Sequence, residues 1–500
     1  MDVLLILPLA IPLGTAVLTL LLRSVPGVQR LTSVLGAVAL LGASGTLLWR
    51  VATDGIRAAQ MGGWPAPFGI TLVADPLSAG LLGMTAFVAV AVAVYALAGM
   101  DEARQRFGFH PLFHLLLMGV NGAFITGDMF NLYVWFEVLL IASFVLLVLG
   151  NERRQLDGAV KYVGINLASS IIFLAAVGLL YGHTGTLNMA DASGRIAELR
   201  GSGVEATLAT LFIMAFGIKA ALFPLFFWLP AAYHTPPAPV AAVFAGLLTK
   251  VGIYSLIRVF SLLFPDPTGY TRTVLLVIAA GTMVVGVMGA LVQRNVHRLL
   301  AFLVISAMGY ILMGLGFFTT LGLVGAVFYI LQDVPVKTTL FLIGGMMERD
   351  TGTARLGEMG GLYQYRPVLA AAFMVPAFSL AGFPPFPGFW GKLTLVQAGL
   401  EAEQFTIVAV ALIVGLFTLL VVAQIWSRAF WRPATEDDVQ ASGSTGQRWA
   451  LNGPIVALAV VLLAIGLYAQ PLYGLAEQAA ANLVDTQAYV EAVLGPSAGA

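Results

Sequence analysis

The sequence predicts an all-α polytopic membrane protein with about fourteen transmembrane helices. Of its 500 residues, 59% are hydrophobic and only 10% are charged, whereas soluble domains carry about 25% charged residues. Apolar runs of roughly 20 residues, the length that crosses a bilayer as a helix, recur along nearly the whole chain. No soluble core explains this composition, so we expect the lipid bilayer to surround the protein.

The predicted spans follow one another in order through the chain. They are 3–22, 31–49, 76–98, 109–126, 129–149, 159–181, 204–230, 237–263, 273–292, 299–318, 321–346, 367–397, 405–427 and 450–470. The seventh and twelfth are long and contain Pro224 and Pro387. Proline removes a backbone donor and opens a helix. We therefore predict that helices 7 and 12 are broken.

Two interrupted helices in corresponding places indicate inverted repeats with ion sites at the membrane midplane. The candidate repeats are helices 4–8, in residues 109–263, and helices 9–13, in residues 273–427. Each contains five helices, an odd number, so the second repeat is expected to lie upside down relative to the first. Helices 1–3 occupy residues 1–108, and residues 428–500 hold a polar loop at 433–447, helix 14 and a tail.

The positive charges of the loops predict the orientation. With alternating loops, fifteen Lys and Arg residues fall on one side and six on the other. The more basic side of a membrane protein usually faces the cytoplasm. We therefore expect both termini outside a bacterial cell (cytoplasmic) membrane.

Charged residues inside apolar runs are the main functional signal. Four of the five lysines lie there: Lys219, Lys250, Lys337 and Lys392. A lysine at the bilayer centre costs about 2.5–3.5 kcal/mol on insertion scales, so these four need partners, water or a function. Glu137 and Asp333 are acidic counterparts within the same kind of segment. Asp333 and Lys337 are four residues apart and can pair on one helix face.

Two interpretations of these charges remain open at this point. They can be structural ion pairs that tie helices together. Alternatively, they can load and release protons, because lysine changes its protonation readily when it is desolvated, whereas arginine does not. Lys219 and Lys392 each lie five residues from a proline, Pro224 and Pro387, and irregular backbone at membrane depth survives only beside protein or a wet cavity. This placement favours proton movement.

The remaining residues exclude several kinds of site. His234 lies between the broken helix 7 and the helix of Lys250, where it could pass protons to the cytoplasm. His110, His114 and His297 are at segment ends, so we expect them at the membrane interface.

No histidine spacing indicates a metal site. The absence of cysteine excludes disulfides, cysteine-ligated iron–sulfur clusters and CxxCH haem attachment. A net charge of zero with no basic tract gives no indication of nucleic-acid binding.

Three motifs contain charged residues of the apolar runs: FEVLL with Glu137, GIKAALFPLFFWLPAAYHTPPAPVAAVFAGLLTKVGIYSLIR with Lys219 and Lys250, and GFPPFPGFWGK with Lys392. They closely resemble the antiporter-like subunits of respiratory complex I and of Mrp-type cation/proton antiporters. The resemblance covers nearly the whole chain. Within the family, the length near 500 and the sequence GTLNMADAS are similar to the D-type subunits of Mrp antiporters.

The resemblance implies two inverted five-helix repeats and a line of charged residues across the membrane midplane. It implies that Glu137 is the carboxylate paired to Lys219, Lys250 the connecting lysine, Lys337 the relay position on helix 11 and Lys392 the last residue of the line. It also implies work inside a hetero-oligomer with other subunits, exchanging monovalent cations, chiefly sodium, for protons. For a chain in this role we expect no covalent chemistry and no bound cofactor.

The leading hypothesis is therefore a proton-translocating subunit of a multisubunit antiporter, a secondary transporter and not an enzyme. One alternative is a proton-pumping membrane subunit of a quinone oxidoreductase or membrane-bound hydrogenase complex. A second is a passive membrane scaffold with structural ion pairs.

Overall fold

The computed structural model describes residues 2–265, 269–433 and 445–495. Within these residues the chain is almost entirely helical, as predicted. The helices of the first half are α1 (Val3–Leu21), α2 (Pro26–Asp54), α3 (Pro76–Gly99), α4 (Glu102–Arg106), α5 (Phe109–Ile125), α6 (Met129–Leu147), α7 (Arg153–Thr184), α8 (Met189–Ala197), α9 (Gly203–Lys219), α10 (Trp228–Ala232), α11 (Ala238–Val243) and α12 (Thr249–Leu262). The π-helical turn Phe244–Leu248 joins α11 to α12.

The second half continues in the same way. Its helices are α13 (Tyr270–Val292), α14 (Val296–Phe317), α15 (Thr320–Thr351), α16 (Leu362–Tyr365), α17 (Pro367–Ala381), α18 (Pro387–Glu401), α19 (Phe405–Ile425), α20 (Thr445–Leu467), α21 (Gln470–Val484) and α22 (Gln487–Leu494). A second π-helical segment, Trp426–Trp431, extends α19. Most of the polar loop predicted at 433–447 lies outside the described residues.

Eleven of the described helices are long and apolar enough to cross a membrane by themselves. This number is below the fourteen predicted spans because some predicted spans are divided or shortened. Helices α5 and α17 are apolar but shorter, and the seventh predicted span is divided between α9 and α10.

A small hairpin is the one sheet among the described residues. Strands β1 (Arg57–Gln60) and β2 (Thr71–Ala74) pair antiparallel between α2 and α3. An isolated bridge joins Leu72 to Thr126, at the end of α5. The hairpin therefore marks one end of the helix bundle, which we call the hairpin face, and we call the opposite end the arginine-rich face after Arg104, Arg154 and Arg298.

Burial divides the helices into a centre and a periphery. The apolar stretches of α11–α12 and of α15 are completely buried, and that of α14 nearly so, whereas fewer than half of the residues are buried in the apolar stretches of α1, α2, α7, α13, α19 and α20. The exposed side chains of these outer helices include Leu35, Ile171, Leu412 and Val460. Apolar side chains that point outward fit lipid, and three charged residues of the predicted site, Lys250, Asp333 and Lys337, lie on the central helices α12 and α15.

Candidate functional site

Lys219 lies at the last residue of α9, where the helix stops. A break at Pro224 is expected from the sequence, but the helix ends before this proline, with Ala221 in the left-handed region at φ +55°. The amide of Leu222 donates to the Gly217 carbonyl at 2.9 Å, and that of Ala221 to the Ile218 carbonyl at 3.0 Å. These two bonds form a Schellman motif. The interruption therefore begins at the lysine itself.

Backbone groups in this first interruption, which lack helical hydrogen bonds, are hydrogen-bonded to other residues. The indole of Trp228 donates to the Ile218 carbonyl at 3.0 Å, and the Phe223 amide donates to the Thr282 hydroxyl at 2.9 Å. Such partners are what allows non-helical backbone inside an apolar bundle. Gly252 of α12 permits the close approach, since a Cβ there would lie 2.6 Å from the Ala220 nitrogen.

The Lys219 ammonium is buried and polar groups surround it. It donates to the Asn166 carbonyl at 3.2 Å and to the Ser170 hydroxyl at 3.1 Å, both on α7. It also lies 5.4 Å from the centre of the Phe136 ring. Phe136 precedes Glu137, so the predicted carboxylate is close. It does not form the expected direct ion pair, and its Oε1 is buried without a hydrogen-bond partner among the described residues.

The centre of the bundle holds two lysines on one carboxylate. Asp333 of α15 lies 2.8 Å from the Lys250 Nζ and 3.6 Å from the Lys337 Nζ. All three side chains are at most 1% exposed. The predicted Asp333–Lys337 contact within one helix is confirmed. The closer contact with Lys250, from α12, was not predicted.

Backbone carbonyls complete this triad. Lys250 donates to the Ala245 carbonyl at 2.8 Å, five residues earlier, within the π-helical turn that loosens the usual bonding of a helix. Lys337 donates to the Leu303 carbonyl of α14 at 2.9 Å. Each ammonium therefore has a neutral oxygen besides the shared carboxylate, so it stays bonded if Asp333 turns toward the other lysine.

Lys392 lies beyond the second interruption, near the start of α18. Helix α17 ends in another Schellman motif, with Gly382 at φ +83° and the Phe383 amide donating to the Phe378 carbonyl at 3.0 Å. Lys392 donates to the Leu380 and Ala381 carbonyls at 2.9 and 3.3 Å. A cation at the C-terminal end of a helix is favoured by the helix dipole.

Two tyrosines lie between Lys392 and the central triad. The Lys392 Nζ is 4.6 Å from the centre of the Tyr310 ring. Tyr310 stacks on Tyr329 of α15 with ring centres 5.6 Å apart, one helical turn before Asp333. Lys392 and Tyr310 also line a cavity of about 260 Å³. Sequence reasoning missed both tyrosines, because a tyrosine in an apolar helix has the same pattern as a core aromatic residue.

The comparisons with known proteins agree with this geometry. Residues 126–418 match the sequence profile of the NADH:quinone oxidoreductase/Mrp antiporter transmembrane family. The chain belongs to this family. It is 42% identical to the D subunit of the Na(+)/H(+) antiporter of Alkalihalophilus pseudofirmus, across 99% of this chain and 100% of that protein.

Solved structures of the NADH:quinone oxidoreductase/Mrp antiporter family have the same fold. A chain of the Mrp complex from Dietzia sp. matches with a TM-score of 0.93 and 33% identity, covering 99% of this chain and 100% of that one. A chain of respiratory complex I from Thermus thermophilus matches with a TM-score of 0.81 and 26% identity, covering 96% and 99%. The all-α membrane fold is thereby confirmed.

A further buried ion pair in this family member lies outside the predicted set. Arg258 of α12 contacts Asp75, at the start of α3, at 2.5 Å, and both side chains are at most 5% exposed. Arg258 also donates to the Tyr254 hydroxyl at 3.3 Å. Arg258 lies within the predicted span 237–263 and faces inward toward Asp75. Because Arg258 and Asp75 are far apart in the sequence, residue spacing cannot predict this pair.

The supporting residues of the sequence argument have different positions. His234 lies just before α11, partly buried, and its Nδ1 is 2.7 Å from the Pro230 carbonyl. Burial lowers the pKa of His234 below its ordinary value. Pro224 lies within the first interruption, and Pro387 is the first residue of α18, after the second. No group of His, Asp and Glu residues in the described part of the chain has a metal-binding arrangement.

Proposed function

We propose that this chain is the proton-translocating subunit of a multisubunit monovalent cation/proton antiporter, chiefly for Na⁺, in a bacterial cell membrane. The observation that carries the proposal is the completely buried triad Lys250–Asp333–Lys337, flanked by Lys219 and Lys392 at two helix interruptions. Relatives that are D subunits of Na(+)/H(+) antiporters and the likeness to an Mrp complex support it. In this role the chain is a transporter component that works with partner subunits, not an enzyme.

The triad explains how a charge can move without leaving the protein. With both lysines protonated and Asp333 ionised, the triad has a net charge of +1 in apolar surroundings, which is costly. Loss of one proton makes it neutral. Because Asp333 is within 3.6 Å of both ammoniums, either lysine can be the one that keeps its proton. We infer that protonation alternates between Lys250 and Lys337.

The flanking groups connect this exchange to the two interruptions. In our proposal Glu137 sets the protonation of Lys219 by its charge, across a short distance without direct contact. Lys219 exchanges protons with Lys250 past Gly252, and Lys392 exchanges with Lys337 past Tyr310 and Tyr329. The helix interruptions supply the polar backbone that lysines at the two ends need.

The division into two inverted repeats, 109–263 and 273–427, is also proposed. Three correspondences support it. The third helix of each, α7 and α15, has 32 residues. The fourth span of each stops in a Schellman motif, at Ala221 and at Gly382. The fifth span of each contains a π-helical segment.

The orientation is proposed from loop charge, with the hairpin face and both termini outside. Because the chain has no cysteine, single cysteines report sidedness directly. We expect a membrane-impermeant maleimide to label Glu198→Cys on intact cells, and to label Arg106→Cys only after permeabilisation. The opposite pattern would reverse the orientation.

The function is tested by Na⁺-dependent proton exchange in membrane vesicles that contain the complete complex. Lys219→Ala is expected to abolish exchange while the complex assembles. Lys219→Arg should fail too, because arginine does not release its proton. Lys161→Ala is the matched control, since Lys161 is exposed and pairs with Asp157 at 2.8 Å. Near-normal exchange in assembled Lys219→Ala complex would refute the proposal.

The alternative as a subunit of a redox complex is favoured less, because chains of two solved respiratory complexes match with 26% identity, against 33% for the Mrp complex. Neighbouring genes distinguish the two functions. Genes for small hydrophobic antiporter subunits indicate an antiporter, and genes for iron–sulfur and flavin proteins indicate a redox complex. If the chain is only a scaffold, removal of a buried charge should leave Na⁺-dependent proton exchange unchanged as long as the complex still assembles. Of the buried pairs described above, Arg258–Asp75 alone fits that description, since its arginine keeps its proton.

A further inference from the structure

A polar cavity opens between the two proposed repeats at the arginine-rich face. Its volume is about 320 Å³, room for roughly ten water molecules at about 30 Å³ each. Its lining includes Glu152 and Arg154 from the start of α7, His234 from the turn before α11, and Glu348 near the end of α15. Polar side chains from both repeats therefore meet at one opening.

His297 lies beneath this cavity, further toward the interior of the protein. Its Nε2 is 2.9 Å from the Glu348 Oε2. The His297 side chain is 7% exposed, while that of Glu348 is 44% exposed. Glu348 thus contacts the cavity on one side and the buried imidazole on the other. The sequence argument gives His297 only an interfacial position.

The other side of the imidazole points into the contact between α14 and α15. Gly344 is opposite it, and a Cβ there would lie 3.3 Å from the His297 Cε1 and 3.4 Å from its Nδ1. The backbone of Gly344 therefore lies next to that edge of the ring, with no side chain of its own there. Since the two nitrogens face different surroundings, one can accept a proton while the other releases one, which is the distinctive property of histidine.

Helix α14 links His297 to the central triad. Six residues after His297 is Leu303, whose carbonyl accepts the hydrogen bond from Lys337 at 2.9 Å. At about 1.5 Å per residue the rise is roughly 9 Å. His297 therefore lies less than two helical turns from the level of the triad along α14.

Charged groups from three helices lie near His297 and its partner. Glu348 of α15 is the adjacent carboxylate, 2.9 Å from the ring. Arg154 from α7 acts electrostatically on both Glu348 and His234, and Arg298 from α14 acts on His234. On α15 the neighbouring Phe341 ring is neutral, with its centre 6.4 Å from that of the imidazole.

We propose that His297 is the residue through which protons pass between the cavity at the arginine-rich face and Lys337, with Glu348 holding its imidazole. With the ring proton on Nδ1, Nε2 on the Glu348 side takes up a proton from cavity water, and the Nδ1 proton then leaves toward neutral Lys337. The ring is then neutral again. Rotation of the imidazole, or exchange of its remaining proton, restores the starting tautomer. The inference rests on the proposed function, because it needs a lysine that titrates during transport.

The test measures Na⁺-dependent proton exchange across a range of pH in vesicles holding the complete complex. His297→Gln keeps an N–H donor for Glu348 but cannot titrate. We expect its rate to fall at least tenfold and its pH profile to differ from that of the wild type. His183→Gln, an exposed histidine on the hairpin face, is the matched control and should match the wild type.

Two further results keep the inference separate from the function. If assembled His297→Gln keeps the wild-type rate and pH profile while Lys219→Ala abolishes exchange, the function stands and the role of His297 is refuted. If both variants keep the wild-type rate, the proposed function itself fails. Should His297→Gln not assemble, Glu348→Gln decides: a slower rate with a shifted profile supports the role, and an unchanged profile overturns it.

Discussion

At the scale of single residues, one carboxylate serves two ammonium groups in a place that water does not reach. Asp333 is 0% exposed, and so is Lys250. A buried charge is tolerated when it is paired and hydrogen-bonded, and each lysine has both a share of Asp333 and a backbone carbonyl. The arrangement is neutral only when one lysine gives up its proton, and this need distinguishes it from the neutral Arg258–Asp75 pair.

Removal of the shared carboxylate should be far more harmful than removal of an exposed one. We expect Asp333→Asn to lower Na⁺-dependent proton exchange at least tenfold, because two buried lysines then lack any negative charge, and breaking a buried ion pair costs about 3–5 kcal/mol. Asp333→Glu, which keeps the charge, should retain part of the activity.

The chain offers a close control for that variant. Asp157 and Lys161 are also four residues apart on a helix, but their side chains are 69% and 51% exposed. Exposed pairs of this kind contribute about 0.3–0.5 kcal/mol. Asp157→Asn should therefore leave exchange and assembly unchanged, and an equal loss in both variants would contradict the account of Asp333.

The sequence indicated the charged residues but not all of their contacts. Lysines in apolar runs are visible without a structure, and the spacing of Asp333 and Lys337 predicts a contact within one helix. Contacts between helices, such as Lys250–Asp333, depend on how helices pack. Tyr310 and Tyr329 could not be separated from ordinary core residues for the same reason.

At the scale of helices, the two interruptions are built alike. Both α9 and α17 end in a Schellman motif, and both interruptions are covered by a neighbouring helix at a glycine or through a hydroxyl. At the second, the Gly388 amide donates to the Ser379 hydroxyl at 3.0 Å, and Ser379 in turn donates to Gln332 at 3.0 Å. Gln332 precedes Asp333, so this interruption is connected to the triad.

A methyl group at Gly388 should disrupt that connection. A Cβ there would lie 1.8 Å from the Ser379 carbonyl oxygen, so the backbone must move, and overpacking of this kind costs about 1–3 kcal/mol. We expect Gly388→Ala to lower the thermal unfolding midpoint of the purified complex by several degrees and to reduce exchange.

Gly164 on α7 supplies the comparison, because a Cβ there meets nothing within 4 Å. Gly164→Ala should leave the midpoint unchanged or raise it slightly, since alanine favours helix more than glycine does. If the two substitutions have equal effects, close packing at the second interruption is not what stabilises it.

Prolines predicted the interruptions approximately, but the helix ends are set by other residues. Helix α9 stops at Lys219, five residues before Pro224, because Ala221 adopts a left-handed conformation that alanine seldom adopts. No propensity argument would place a helix end there. In the second interruption, Gly382 is a conventional signal for the end of a helix.

At the scale of the whole molecule, the helices that carry the triad are the most buried ones. Helices α12, α14 and α15 are enclosed by neighbours, and the outer helices present apolar side chains outward. Composition predicts the membrane environment because it is a property of the whole chain. Which helices are central could not be predicted, since all of them are apolar.

The central claim is that protons cross a continuous line of buried groups, so the middle lysine is indispensable although it touches neither interruption. The most direct test is Na⁺-driven proton exchange in vesicles with the complete complex carrying Lys250→Ala. Its control is Thr249→Val, the adjacent residue on the same helix, which is equally buried at 0% exposure. The account predicts that Lys250→Ala assembles but loses exchange at least tenfold, while Thr249→Val exchanges normally. Wild-type exchange in assembled Lys250→Ala complex would contradict it.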